Sequence, residues 1–267
     1  MARGIKGRLG AVLGAGMGVA LLIAPLQAQP GPPPAAPVPA GLKEGTGAGF
    51  PKGKNAQLDS LPDWGGIWFF APGARPEPPK LKGKYKEANE KWRADIAANN
   101  GIDKKARSNC SPPGMPGFMA LAQYPYEFLF TPGRVTINQE AWMQTRKIWT
   151  DGRSHQEDPD PTFYGDSIGH WEKDTLVVDT IGINDTLPLQ TGMTHSDKLK
   201  VTERIHLSPT NSNLLINEIV LDDPDALEEP WHATYTYRRD RYGMLLEFQC
   251  SENDRNPIDA EGNTLFH

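Results

Sequence analysis

The densest run of side chains able to do chemistry comprises Asp151, Arg153 and His155, with His170 following after an acidic loop. An imidazole exchanges protons near neutral pH, and a guanidinium can stabilise a carboxylate or an enolate. The run therefore predicts acid–base chemistry: Arg153 holds developing negative charge, His155 or His170 moves the proton, and Asp151 orients these groups. The structural alternative is that Asp151 opens a hairpin turn and Arg153 pairs with an acid at the surface.

Glu203 is a further candidate because it lies on the apolar face of a predicted strand. The odd positions of residues 199–207 are otherwise apolar, so the Glu203 carboxylate would face the core. A carboxylate in a core is costly unless it is paired or protonated. We therefore expect either an ion pair with Arg153 or Arg238, or an acid–base role in a cavity. His195 comes just before this strand and would lie at the same barrel end as the other candidates if the loops there converge.

Five residues are candidates for contacts to a substrate. Trp231, Tyr235 and Tyr237 share one face of a predicted strand and could stack on an aromatic or sugar-like ligand, although such stripes more often belong to a core. Asp166 and Ser167 stand at the end of another predicted strand, and binding residues are common where loops meet a rigid barrel.

Two other chemistries fit parts of the sequence less well. Residues 165–169 match the Gly-x-Ser-x-Gly pattern of serine hydrolases, but that pattern needs a strand that turns into a helix, whereas residues 170–178 resemble a strand hairpin. His155, His170 and His195 could supply three metal ligands, but their spacing matches no short ligand motif. We predict no cofactor and no metal, with a site formed by these three histidines as the alternative.

Short strands dominate the chain after residue 126, and they are separated by turn pairs such as Pro132-Gly133. With Trp64–Phe70 there are nine or ten of them. The later ones are predicted over residues 128–131, 135–139, 148–150, 167–171, 175–181, 199–207, 214–221, 231–238 and 244–250. The only convincing helix covers about residues 83–98, where apolar residues recur at helical spacing.

These elements predict a mainly all-β fold with one peripheral N-terminal helix. Parallel neighbours need crossovers of about a dozen residues or more, so the pattern excludes a parallel α/β sheet. Antiparallel meanders close into barrels or stack as sandwiches, and both arrangements remove exposed edges. We favour an antiparallel lipocalin-like β-barrel because Gly66-Ile67-Trp68 resembles the Gly-x-Trp at the first strand of such barrels. A two-sheet β-sandwich is the alternative.

Residues 1–28 have the pattern of a secretory signal peptide, with a basic start followed by an apolar run from Ala11 to Ala24. That run is shorter than the roughly 20 residues that span a bilayer, although an uncleaved anchor is the alternative. Residues 29–57 are rich in proline and glycine and predict a disordered tether. Residues 58–267 predict a single β-rich domain.

Compartment and charge limit the partners that we expect. The formal net charge of −5 argues against nucleic acid, whose binding rests on clustered lysine and arginine. We expect a periplasmic or secreted protein with a small-molecule ligand or substrate and no stable membrane span after signal cleavage. In an oxidising compartment Cys110 and Cys250 predict a disulfide, with two free thiols as the alternative.

Several segments together resemble a broad family of uncharacterised secreted bacterial proteins. The resemblance rests on residues 148–155, 165–180, 195–196 and 202–204, and it covers Pro62 to Asn253. It implies neither a particular activity nor a cofactor. Members of the family more often carry an arginine-like residue near His170, a difference that favours a specialised substrate contact for this histidine over a catalytic role shared by the family.

The sequence thus predicts a cofactor-independent acid–base enzyme on an antiparallel barrel, a lyase, isomerase or hydrolase. Its substrate would be a small, partly apolar oxygenated or aromatic compound. The rival is a non-catalytic lipocalin-like carrier of a small hydrophobic ligand. An enzyme needs several titratable groups within reach of one point, whereas a carrier needs an apolar cup with few of them. The enzyme hypothesis therefore requires Arg153, His155, His195 and Glu203 to meet at one open rim.

Overall fold

The computed structural model describes residues 56–71, 73, 76–103, 112–187, 192–249 and 260. The predicted signal peptide, the predicted tether up to residue 55, and both cysteines with their predicted disulfide lie outside the described residues. Within the described part of the chain, no helix combines the length and the apolar character needed to cross a bilayer.

Nine strands and one long helix are the main regular elements of the described residues. The strands are β1 (Ile67–Phe70), β2 (Tyr126–Thr131), β3 (Arg134–Gln139), β4 (Gln144–Trp149), β5 (Asp166–Glu172), β6 (Thr175–Ile181), β7 (Lys200–Ser208), β8 (Asn211–Asp222) and β9 (Trp231–Asp240). The helices are the one-turn α1 (Ala56–Asp59) and α2 (Gly83–Ala98), with short 3₁₀ helices at Gly117–Ala120 and Ala141–Met143.

Most of the predicted elements are confirmed. Helix α2 has the predicted bounds, and it is peripheral, since Asn89 is its one buried residue. The tenth strand predicted over residues 244–250 is wrong, because residues 244–249 form no strand. The predicted strand at 148–150 is longer than expected and begins at Gln144, which brings Arg146 into the sheet.

The strands form a closed barrel in chain order, with β1 paired to β9, which confirms the predicted barrel and not the sandwich. Nine strands cannot alternate in direction all the way round a closed ring, so at least one neighbouring pair must be parallel. That pair is β4 and β5, joined by the single residue pair Trp149 and Ile168. The connection between them, residues 150–165, crosses the outside of the barrel from one end to the other, as a parallel connection requires.

The strands alternate between residues that face the barrel interior and residues that face outward. In β7, Val201, Glu203 and Ile205 are buried, whereas Lys200 and Arg204 are exposed. This alternation confirms that Glu203 faces the core, because side chains on a strand repeat every second residue.

Aromatic side chains fill the end of the barrel at which β1 begins. Trp64, which is 2% exposed, makes edge-to-face contacts with Phe128, Phe130 and Trp171 at ring-centroid distances of 5.6, 5.3 and 5.7 Å. The chain before the first strand therefore closes this end with a large apolar side chain.

The fully buried 3₁₀ helix Gly117–Ala120 fills the opposite end. Tyr126 Oη and Gln139 Nε2 donate hydrogen bonds to the Phe118 carbonyl at 2.6 and 3.0 Å, and Tyr237 Oη donates to the Met119 carbonyl at 2.5 Å. Burial raises the pKa of both tyrosines well above the usual range, so both remain hydrogen-bond donors.

Candidate functional site

A belt of polar side chains crosses the interior of the barrel, with one residue from each of five neighbouring strands. Its members, all at most 2% exposed, are Arg146 of β4, Ser167 of β5, Thr180 of β6, Glu203 of β7 and Asn217 of β8. We call these five residues the polar belt. Buried polar groups are expected to be hydrogen-bonded, so the contacts within the belt show what it can still bind.

Glu203 is fully paired within the polar belt. Arg146 Nη2 lies 2.5 Å from Glu203 Oε2, and Asn217 Nδ2 donates to Glu203 Oε1 at 2.8 Å. Both side chains of the ion pair are 0% exposed. The carboxylate therefore neutralises Arg146, and each of its oxygens already accepts a hydrogen bond. The expected partners Arg153 and Arg238 were wrong, since both are exposed and Arg238 faces outward from β9.

Arg146 is only partly satisfied by its neighbours. Its Nη2 also contacts Ser167 Oγ at 3.3 Å and Thr180 Oγ1 at 2.9 Å. Its Nε and Nη1 are buried and have no hydrogen-bond partner among the described residues, and the same holds for Asn217 Oδ1. Leaving such groups unpaired costs about 1–3 kcal/mol each, and more for charged groups. The belt thus contains two buried donor atoms and one buried acceptor atom without a partner among the described residues.

Tyr235 of β9 continues the belt toward the aromatic core. Burial, and then the charge of Glu203, raise the pKa of Tyr235 to about 12. Its ring meets Phe70 edge to face at 5.6 Å between centroids. Tyr235 is therefore a neutral side chain beside the Arg146–Glu203 pair. It faces the interior together with Tyr237 and the half-buried Trp231, as predicted for that strand face.

A groove of about 460 Å³ lies on the outer wall between β4 and β5. Its lining includes Thr145, Lys147, Trp149, Pro159, Asp166 and Ser167. Ser167 also belongs to the polar belt, so the groove and the belt share one residue. We call this feature the seam groove.

His155 lies on the outer wall, where it fastens the β4–β5 connection to the barrel. Its Nδ1 is 3.0 Å from Asp166 Oδ2, and its Nε2 is 3.7 Å from Asp179 Oδ2. Lys200 Nζ approaches the same Asp179 oxygen at 2.8 Å. Both ring nitrogens thus face carboxylates of the outward-facing surface. Asp166 and Ser167 are neighbours in sequence but lie on opposite sides of the barrel wall.

Arg153 pairs with an acid at the surface, as the structural alternative stated, but Asp151 opens no hairpin, because it follows β4 and β4 runs parallel to β5. Arg153 Nη2 lies 2.6 Å from Asp151 Oδ2, and the guanidinium stacks 3.9 Å from the centre of the Trp149 ring. Both charged side chains are exposed. Hydrogen bonding by Arg153 lowers the pKa of Asp151. The pair lies outside the barrel and has no contact with Glu203.

Arg153→Met is therefore expected to leave the midpoint of thermal unfolding near its wild-type value, because exposed ion pairs contribute little. Circular dichroism at the strand signal measures this directly. A large fall in the midpoint would mean that the stacked Arg153 holds the β4–β5 connection in place. Lys147→Met, an exposed cation on the neighbouring strand, is the matched control.

His170 and His195 lie apart from the other candidates. His170 is exposed on the outer face of β5, 3.3 Å from Glu172 Oε1. His195 is 3% exposed in the connection before β7, where its Nδ1 lies 2.8 Å from the carbonyl oxygen of Ser196 and donates a hydrogen bond to it. Burial lowers the pKa of His195, which favours a neutral imidazole with its lone pair on Nε2.

The depressed pKa of His195 predicts a pH dependence of stability. Because the folded-state pKa lies below the unfolded value of about 6.5, His195 favours folding above that pH, and the contribution is lost as pH falls through the folded pKa. The free energy of unfolding of His195→Gln should therefore fall less between pH 7.5 and pH 5.5 than that of the wild type. His232→Gln, at an exposed position of β9, is the matched control for the loss of an imidazole. Equal falls in all three proteins would contradict this account.

The structure does not bring the sequence-predicted catalytic residues to one rim. Glu203 is inside the barrel, His155 is on its wall, Arg153 is exposed beyond the end of β4, and His195 is buried in a connection at the other end. Ser167 hydrogen-bonds Thr180 and Arg146 but no histidine of the described residues, and within that part of the chain no three histidine, cysteine or acidic side chains are arranged to hold a metal ion.

Sequence reasoning missed Arg146, Thr180 and Asn217. Asn217 carried a usable signal, since it interrupts the apolar alternation of β8 in the same way that Glu203 interrupts β7. Arg146 gave little signal in the sequence, because β4 is polar over most of its length. The inward-facing residues of β4 can be recognised only when the strand is known to begin at Gln144.

Comparison with known proteins leaves the family of the chain open. The sequence matches no protein-family model and no curated protein. The resemblance to secreted bacterial proteins therefore stays a prediction, and function has to be inferred from the polar belt and the seam groove.

Proposed function

We propose that this protein binds a small, partly apolar oxygenated compound, in the manner of a lipocalin-like carrier, and that an uncharged oxygen of the ligand accepts hydrogen bonds from Arg146. A periplasmic or secreted location, inferred from the first 28 residues, belongs to the same proposal. Small-molecule sites of this kind combine apolar walls with a few placed polar groups.

The observation that carries the proposal is the pair of unpaired donor atoms on Arg146. Nε and Nη1 are buried inside the barrel, and the unpaired Oδ1 of Asn217 belongs to the same polar belt. A carbonyl or hydroxyl oxygen would relieve the desolvation of the guanidinium, and a hydroxyl could also donate to Asn217.

The surroundings of Arg146 favour an uncharged ligand oxygen over a carboxylate. Glu203 lies 2.5 Å away and already balances the positive charge. A second carboxylate would enter the same low-dielectric interior without a free countercharge, and like charges at short range repel strongly there. Aldehydes, ketones, alcohols and ethers on an apolar body are therefore the preferred class.

A binding role also agrees with the placement of the titratable groups. Both oxygens of Glu203 are occupied, and His155 faces two carboxylates on the outside. Proton transfer needs a base within hydrogen-bond reach of the reacting atom. The polar belt offers donors and an acceptor to a ligand, which suits holding a molecule more than changing it.

A matched ligand series tests the proposal. The protein is titrated by calorimetry with 2-acetylnaphthalene, 2-ethylnaphthalene and 2-naphthoate, which share one apolar body. We expect the ketone to bind about tenfold or more tighter than the hydrocarbon, since a buried donor left unpaired costs about 1–3 kcal/mol. The double variant Arg146→Met/Glu203→Leu removes the ion pair without stranding a charge, and it should lose that preference.

Arg238→Met, at an exposed outward-facing position of β9, is the control and should keep the wild-type preference. Equal affinities for ketone and hydrocarbon in the wild type would contradict an oxygen contact at Arg146. So would a preference for the ketone that survives in the double variant.

An acid–base enzyme is the second candidate, and one observation favours it. His195 is buried and held neutral, and its Nε2 has no partner among the described residues, as a general base requires. Incubation of the purified protein with the ketone and alcohol members of the series, with and without chelator, would detect turnover by mass spectrometry. Turnover that is lost in His195→Gln would favour the enzyme over the carrier.

A further inference from the structure

We propose that ligands reach Arg146 through the side wall of the barrel, along the seam groove between β4 and β5, and not through either end. This inference rests on the proposed function, and it adds the route, the orientation of the ligand and its shape. The ligand is an elongated molecule that enters with its oxygen leading and passes Trp149 and Pro159 of the groove on its way to Arg146.

Both ends of the barrel are filled by packed side chains. At one end Trp64 contacts three further aromatic rings, and at the other the buried segment Gly117–Ala120 accepts three side-chain hydrogen bonds through its carbonyl groups. Opening either end would break several buried contacts at once. Open-ended barrels usually take a ligand through the mouth, so the filled ends direct attention to the wall.

Strand pairing is sparsest between β4 and β5. These strands share one residue pair, Trp149 with Ile168, whereas every other neighbouring pair of strands shares at least two. Beside that pair the wall is closely packed, because a Cβ at Gly169 would lie 2.9 Å from Cγ2 of Ile148. Toward the start of β4, the residues Gln144 to Lys147 have no strand pairing with β5. Arg146 lies in this unpaired part of β4.

The seam groove lies over the unpaired part of the wall. Its volume of about 460 Å³ is within the usual range for small-molecule sites. Ser167 lines the groove, and its Oγ is 3.3 Å from Arg146 Nη2, so this residue contacts both the groove and the guanidinium. At the inner end of this route, the unpaired Nε and Nη1 of Arg146 are the donors that would bind the ligand oxygen.

The β4–β5 connection supplies the outer edge of the groove and is held down by His155. Pro159 lines the groove, and His155 joins the same connection to Asp166 and Asp179 on the barrel wall. Removing this fastening should let the connection move away from the wall more often. Access to Arg146 should then become faster.

Stopped-flow fluorescence with 6-propionyl-2-dimethylaminonaphthalene, an uncharged aromatic ketone, tests the route. Thr145→Trp places a bulky ring in the groove without touching Arg146. We expect its association and dissociation rate constants to fall together, about tenfold, with the equilibrium constant nearly unchanged, because an obstructed route alters rates and not end states. Lys147→Trp, at another groove position, is the second variant should Thr145→Trp fold poorly. His155→Ala should raise both rate constants.

Thr234→Trp is the matched control, because Thr234 is an exposed, outward-facing threonine of β9 away from the seam. It should keep wild-type rates. Wild-type rates in both groove variants, with wild-type binding intact, would overturn the side-wall route and leave the proposed function standing. Failure of the wild type to bind the probe, or binding that persists in Arg146→Met/Glu203→Leu, would overturn the proposed function and the route with it.

Discussion

Glu203→Ala is expected to lower the free energy of unfolding by about 3–5 kcal/mol, because removing one partner of a buried ion pair leaves the other charge uncompensated. Arg146 and Glu203 are both 0% exposed, so no solvent reaches the stranded guanidinium. The alanine would also remove the acceptor for Asn217 Nδ2. The loss should therefore be as large as that of a large-to-small substitution in an apolar core.

Urea denaturation followed by tryptophan fluorescence measures this loss. Arg146→Met should be similarly destabilising, because it strands the carboxylate. The double variant Arg146→Met/Glu203→Leu should recover most of the stability, since an apolar pair of similar volume replaces the ion pair. Glu218→Ala, at an exposed outward position of β8, should stay near the wild type. A loss below about 1 kcal/mol in Glu203→Ala would mean that water or a rearrangement reaches Arg146.

Glu203→Gln is expected to reverse the charge preference of the ligand site. The amide keeps the shape of Glu203 and an acceptor for Arg146 Nη2 but removes the negative charge. Arg146 is then an uncompensated cation, and the interaction of two unit charges at about 4 Å is worth roughly 4 kcal/mol at an effective dielectric constant near 20. Affinity for 2-naphthoate should rise by about tenfold or more, while affinity for 2-acetylnaphthalene changes little.

Competition between the two naphthalenes at neutral pH measures the change in preference. Glu218→Gln removes one negative charge from the surface instead of the interior, so it controls for the altered net charge. An unchanged preference in Glu203→Gln would place the ligand away from Arg146. A preference that shifts equally in both variants would indicate a long-range effect of net charge.

The fold was largely accessible from sequence because strand periodicity is local. The alternation in β7 was enough to place Glu203 inside, and helix α2 was found with its observed bounds. The relative direction of two strands, in contrast, does not depend on local sequence. The residues of β4 and β5 do not indicate that the two strands run parallel. That direction follows from closing nine strands into a ring, a constraint visible only once the strands are counted and the ring is known to close.

The site was less accessible, because closeness in sequence is a poor guide to closeness across a barrel wall. Asp166 and Ser167 are adjacent in the chain, yet one binds His155 outside and the other binds Arg146 inside. The partner of Glu203 lies 57 residues away on a strand whose start was misplaced. Only the cross-strand arrangement places the five members of the polar belt together.

Nitrogen-15 NMR of the arginine Nε–H groups tests whether Arg146 donates a hydrogen bond to an uncharged ligand oxygen inside the barrel. The Arg146 signal is identified by its loss in Arg146→Met/Glu203→Leu. We expect saturating 2-acetylnaphthalene to shift this signal and 2-ethylnaphthalene to leave it unchanged, while the signals of the exposed Arg153 and Arg238 stay in place. An unmoved Arg146 signal at saturation with the ketone would contradict the account.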